Sequence, residues 1–255
     1  MRCGELAERL DERLRIDEYA DVDASANGLQ VGPADREVAR VAVTVDAAVS
    51  TVEQAVDAQA DLLIAHHGIS WGGIDRVTGT AYRRLAPLME NGLALYAAHL
   101  PLDGHQTLGN AAGLADLLEL TDTEPFGELG AVHVGQRGTA PDAYSVDALR
   151  NLLAGELVHG GEGVQVLEFG PTEIKDIAIV TGSGVDWLED AAENGVDAFI
   201  TGEGKQKAYH LAKEHGIHVF LAGHYATETF GVKALQDRLE EWGLKTTFIH
   251  EPTGL

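Results

Sequence analysis

Short apolar runs alternate with helical stretches, and the alternation occurs twice. Runs at 41–45, 62–65 and 93–98 are separated by helix-like segments, and runs at 177–180, 198–200 and 218–222 repeat that order. A strand, a crossover helix and the next strand of one sheet imply parallel pairing. The run Leu62 to Ala65 is continuously apolar rather than alternating, as expected of a strand covered on both faces. The pattern predicts an α/β fold: two similar three-layer α/β/α lobes with largely parallel or mixed sheets. The first lobe is expected over residues 1–124 and the second over 125–255, with Thr121 to Pro125 as a link. Val43-Thr44 aligns with Val180-Thr181, and Asp61 through Gly68 with Asp197 through Gly204, which suggests an internal duplication.

Other stretches read as follows. Leu6, Leu10 and Leu14 at four-residue spacing predict an amphipathic helix from Gly4 to Leu14. Asp46 is placed as the N-cap of a helix over 47–60. The segment Ile69-Ser70-Trp71-Gly72-Gly73 reads as a surface turn, with a lid as its alternative. His133 and His159 have no partner motif and read as structural or surface residues.

Chemistry-bearing residues gather at the strand ends, where open α/β sheets place their ligands. The run Leu62-Leu63-Ile64-Ala65 ends in His66-His67-Gly68, and the run to Ala98 ends in His99-Leu100-Pro101-Leu102-Asp103. The second half delivers Glu203 and then His224 and Glu228, which are four apart at a helix start and share a face. Each has an ordinary reading as a satisfied strand-end polar group. Together, imidazole and carboxylate suit zinc, manganese or iron and argue against a soft thiolate site. So many donors exceed what one four-coordinate catalytic ion with a water accepts. They suit two ions about 3.5–4 Å apart, with a bridging carboxylate, in a cleft between the lobes.

Composition narrows the function classes. The chain has 255 residues with 41 acidic against 18 basic side chains, a net charge of −23. Non-specific nucleic-acid binding needs clustered cations and is disfavoured. No run approaches the ~20 apolar residues of a membrane span, and the opening residues lack the apolar core of a signal peptide. A single cysteine, Cys3, fits a reducing cytoplasm and is read as incidental. The acidic residues are dispersed along the chain, the pattern of proteins adapted to high intracellular salt, where self-repulsion is screened over a Debye length of ~3 Å at molar salt.

The motifs Asn27-Gly28-Leu29-Gln30-Val31-Gly32, Ala65-His66-His67-Gly68, His99-Leu100-Pro101-Leu102-Asp103, Leu108-Gly109-Asn110, Thr201-Gly202-Glu203 and Gly223-His224-Tyr225-Ala226-Thr227-Glu228 occur in one order over nearly the whole chain. In this they resemble the Nif-three-like dinuclear-metal family, named in many genomes as GTP cyclohydrolase 1 type 2. The resemblance implies two divalent ions (zinc, iron or manganese) held by His66, His67, Asp103, His224 and Glu228. It places His99 and Glu203 beside them, as candidate proton shuttles. It also implies a ring-shaped homohexamer and the absence of the extra central domain of longer members.

The expected function is a metal-dependent hydrolase acting on a small molecule, a nucleotide among the candidates, with guanine ring opening as its specific form. A non-catalytic metal-binding scaffold or regulatory partner is the alternative. The chain lacks a Walker-type glycine loop, and only Lys205, Lys207 and Arg76 stand out as cations for a triphosphate. The charge pattern carries a prediction: the melting temperature rises between 0.1 and 2 M KCl, and an unchanged value in thermal scans contradicts salt adaptation.

Overall fold

The structure is a computed structural model that describes residues 1–158, 160–161 and 163–255. His159 therefore lies outside the described residues. In chain order the strands are β1 (Gly28–Val31), β2 (Arg40–Asp46), β3 (Leu62–His67), β4 (Ala94–Ala97), β5 (Thr121–Leu129), β6 (Val132–Tyr144), β7 (Gln165–Leu167), β8 (Ile174–Ile179), β9 (Ala198–Thr201), β10 (His218–Leu221) and β11 (Lys245–Phe248). They form two mixed sheets, each with its own helices, in two compact units. The first unit holds Met1–Leu102 and Gly231–Glu251; the second holds Asp103–Phe230 and Pro252–Leu255.

The sheet of the first unit runs β1-β4-β3-β2-β11. Its β4, β3, β2 and β11 are parallel, and β1 pairs antiparallel on the edge. Alternate residues point to opposite faces, and both faces are covered. Ala42, Leu63 and Leu95 pack with Val52, Ala55, Leu85 and Leu88 from the helices Val49–Asp57 and Gly79–Asn91. Between them along the strands, Val41, Val43, Leu62, Ile64 and Tyr96 are just as buried. The helix Cys3–Leu14 lies by Tyr96, whose hydroxyl donates to Asp11 Oδ1 at 2.8 Å. That helix buries Leu6, Leu10 and Leu14 as their spacing predicts, and buries Cys3 with them.

The second unit runs β5-β6-β8-β9-β10-β7. Only β8, β9 and β10 are parallel; β5, β6 and β7 join antiparallel. Thr121 to Pro125, expected as a link, is the first half of β5, paired with β6. β6 runs on from Val132 to Tyr144, well past the apolar residues Val132 and Val134. His133 faces Glu128 of β5 in that ladder. A helix follows over Val146–Glu156, capped by Ser145, whose side chain accepts from the Ala148 N–H. One core of Leu149, Leu153, Ile174, Ile177, Ile179, Ile200 and Phe220 joins these elements.

The parallel cores of the two units make the same hydrogen bonds. Asp61 Oδ2 accepts from the Ala39 and Arg40 N–H groups, both at 2.9 Å. Asp197 Oδ2 accepts from those of Lys175 and Asp176, at 2.8 and 3.0 Å. The Asp61 N–H donates to Arg40 O and the Asp197 N–H to Asp176 O, both at 2.8 Å. Each aspartate thus joins the start of one parallel strand to the start of the next.

Asp46 is not a helix cap. It ends β2, and the helix beyond begins at Val49, where Thr51 Oγ1 accepts from the Ala48 N–H at 2.9 Å. No helix among the described residues is long and apolar enough to cross a membrane. For Asp197→Ala, which strips two backbone donors of their acceptor, we expect a stability loss of about 1 kcal/mol. A lowered urea midpoint at unchanged m-value checks it.

Candidate metal centre

β3 ends in His66 and His67, and His99 follows β4 after one residue, Ala98. One ring nitrogen of each lies within 4.8 Å of those of the other two. The ring centroids are 4.6 Å apart for His66 and His67, 5.2 Å for His66 and His99, and 5.6 Å for His67 and His99. Each Nδ1 faces an acceptor at 2.9 Å: Ala98 O for His66, Asp46 Oδ1 for His67 and Asp23 Oδ1 for His99. An acceptor oxygen there places the proton on Nδ1 and the lone pair on Nε2. This is the arrangement found behind metal-bound imidazoles.

The supports come from the glycine-punctuated motif around β1. Asn27 Oδ1 accepts from the His99 N–H at 2.8 Å, and Asn27 Nδ2 donates to Asp23 Oδ2 at 2.8 Å. Asp23 Oδ2 also accepts from the Leu100 N–H at 3.0 Å. Burial alone raises the Asp23 pKa, but hydrogen bonds from His99, Asn27 and the Ser25 N–H, with the charge of His99, leave it below the ordinary value. Gln30 Oε1 accepts from the Ile69 N–H at 2.8 Å and holds the turn beyond the histidine pair. A Cβ on Gly68 would lie 2.5 Å from the Gln30 amide and 2.7 Å from Ala97 Cβ, so only glycine lets that turn close.

In the second unit, Asp103 and Glu228 are buried, at 7% and 3% exposure, and a carboxylate oxygen of one lies within 4.8 Å of one of the other. Asp103 Oδ1 accepts from Asn110 Nδ2 at 2.8 Å and Thr181 Oγ1 at 3.1 Å, which fixes its rotamer. His224 opens the short helix His224–Thr227, one turn before Glu228, with Nε2 at 3.2 Å from Glu228 Oε1. Its Nδ1 lies 3.4 Å from Glu203 Oε1. Burial disfavours a charged His224, but the hydrogen bond and charge of Glu228, then those of Glu203, raise its pKa from 6.5 to about 9. Without a bound cation it is therefore protonated at neutral pH. Gly182 has φ +59°, and a Cβ there would sit 2.1 Å from Glu228 Oε1. Its N–H donates to Thr227 Oγ1 at 3.1 Å.

The sequence-predicted residues thus fall into two sets. His66, His67 and His99 cluster in the first unit, and Asp103, His224 and Glu228 in the second, with Glu203 at their margin and hydrogen-bonded by Ser183 Oγ. His99 is as much a member of the imidazole cluster as the two expected ligands. Clustered histidine and carboxylate donors of this kind can hold a metal ion, and the hard oxygen and imidazole set fits a divalent first-row ion. Sequence reasoning missed Asp23 and Asp46; Asp46 carried a signal, being a carboxylate at the end of the strand beside β3. Lys205 and Lys207 both pair with Asp186.

For Asp46→Asn, which keeps size but weakens the acceptor on His67 Nδ1, we expect zinc affinity to fall about 10–100-fold. Competition with a fluorescent chelator checks it, alongside a thermal melt showing that the fold is kept.

Comparison with known proteins gives the family and the fold. A model of the Duf34/NIF3 (NGG1p interacting factor 3) family matches residues 1–253. The chain is 55% identical over 255 residues to a Halobacterium salinarum protein named GTP cyclohydrolase 1 type 2 homolog, with 100% of both chains covered. It is 44% identical over 256 residues to a Pyrococcus horikoshii protein of the same name, again with 100% of both covered. A solved structure from Thermus thermophilus matches with a TM-score of 0.90 at 38% identity and 100% coverage of both chains. With the family model spanning residues 1–253 and relatives matched end to end, the chain belongs to the Duf34/NIF3 family.

Proposed function

We propose that the protein is a metal-dependent hydrolase holding two divalent ions, of zinc, iron or manganese, with His66, His67, Asp103, His224 and Glu228 as ligands. The observation that carries this reading is the acceptor behind Nδ1 of each imidazole of the first unit, in a cluster where one ring nitrogen of each lies within 4.8 Å of those of the other two. A purely structural cluster has no need of three imidazoles in one tautomer. The buried carboxylates Asp103 and Glu228 supply the charge that two dications require. Bound divalent ions supply a water of lowered pKa and polarise the bond under attack.

The remaining polar groups handle the proton. His99, backed by Asp23 on Nδ1, is suited to accept and return a proton at Nε2. Glu203, half-exposed and hydrogen-bonded by Ser183, is the second candidate. The relatives' shared name points to a nucleotide substrate and to opening of the guanine ring. Lys205 and Lys207 share Asp186, which leaves a single net positive charge there, little for a triphosphate and no obstacle to recognition of a base. The same reading includes a homohexamer in the cytoplasm of a salt-adapted cell.

Metal content per chain, by plasma mass spectrometry on protein purified in molar KCl without chelator, tests the reading. We expect about two equivalents in wild type, with fewer in both His67→Ala and Glu228→Ala. Little metal in wild type after reconstitution with zinc, manganese and iron in turn overturns it.

A further inference from the structure

Trp71 is a large aromatic beside the imidazole cluster, and 45% of it is exposed. A lone exposed aromatic is ordinary. This one is held in place. Its Nε1–H donates to Gly68 O at 3.2 Å, the carbonyl next to the histidine pair. Its backbone forms an antiparallel bridge with Ser25. On either side, the Gly72 N–H donates to Ala24 O at 2.7 Å and the Ala26 N–H to Ser70 O at 3.0 Å. The segment is thus tied to the chain that carries Asp23 and Asn27, the residues that orient His99. The indole meets His99 edge to face at 4.9 Å between centroids and 76°, and stands 6.0 Å from His67.

An edge-to-face contact with His99 engages at most one indole face. The rest of the ring is fixed, accessible and next to the histidine cluster. A π-face of this kind attracts either a cation or a planar ring. A cation is disfavoured beside donors read as holding two dications. A neutral planar ring is not.

We propose that Trp71 is the stacking platform for a planar heteroaromatic ring of the substrate, which sets that substrate apart from an aliphatic amide or a simple phosphoester. This rests on the proposed metal-dependent hydrolase in naming the ligand a substrate; the binding itself is tested without turnover. Trp71 on this reading sets affinity and orientation.

Guanosine is titrated into wild type, Trp71→Phe and Trp71→Leu by calorimetry, with ribose as the ringless control, on metal-loaded and metal-free protein. Base–aromatic stacking is worth about 5- to 150-fold in affinity. We expect Trp71→Leu to bind guanosine weaker by about that factor, Trp71→Phe to stay within a few-fold of wild type, and ribose not to bind. Tryptophan fluorescence quenched by guanosine in wild type and not in Trp71→Leu is the matching spectroscopic sign. Equal affinity of Trp71→Leu and wild type overturns the proposal, as does no guanosine binding to wild type that carries its full metal. Wild type that stays metal-poor after reconstitution yet binds guanosine through Trp71 leaves the platform standing and removes the hydrolase reading.

Discussion

An imidazole has two nitrogens, and which one carries the proton decides what it can do. In the first unit that choice is made three times by an oxygen on the far side of the ring. Ala98 O is a backbone atom, set by β4 itself; Asp46 and Asp23 are side chains delivered from β2 and from the loop before β1. The pairing of β2 with β3 puts Asp46 opposite His67 in register, so the sheet aligns acceptor and ring together. Asn27 and Gln30 then pin the two turns from which the histidines project. Much of the amino-terminal third of the chain is thereby committed to holding three rings in one tautomer.

The second unit solves a different problem. Burying Asp103 and Glu228 removes charge from water, which is unfavourable unless hydrogen bonds or cations compensate. Asn110 and Thr181 compensate Asp103. Glu228 has His224, whose raised pKa is the same interaction seen from the imidazole. The close approach of Gly182 to Glu228 makes room for that carboxylate at a position where any side chain would displace it.

Much of this was legible in the residues. Apolar runs with helical spacing between them marked the parallel cores, because strands buried on both faces have no polar alternation to hide. Histidines and carboxylates at strand ends marked the candidate ligands. The aspartates at 61 and 197 align in sequence and make equivalent hydrogen bonds in the two sheets. The stretch around β5 and β6 was not legible: its exposed residues and the proline at 125 lack a periodic signal, and β5 is placed by its ladder with β6, which in turn pairs with β8. Asp46 was misread as a cap because a carboxylate before a helix and one beside a histidine look alike until the register is known.

What the sequence by itself determined is local: strand and helix periodicity, the order of the elements and the type of donor at each strand end. These depend on neighbours a few residues away. Tertiary structure alone decided the register that sets Asp46 against His67, the 76 residues of chain that separate Asp23 from His99, and the return of β11 to pair with β2. Those contacts join segments far apart in the chain. Their existence depends on which buried surfaces fit one another, and no pattern within a single segment encodes that.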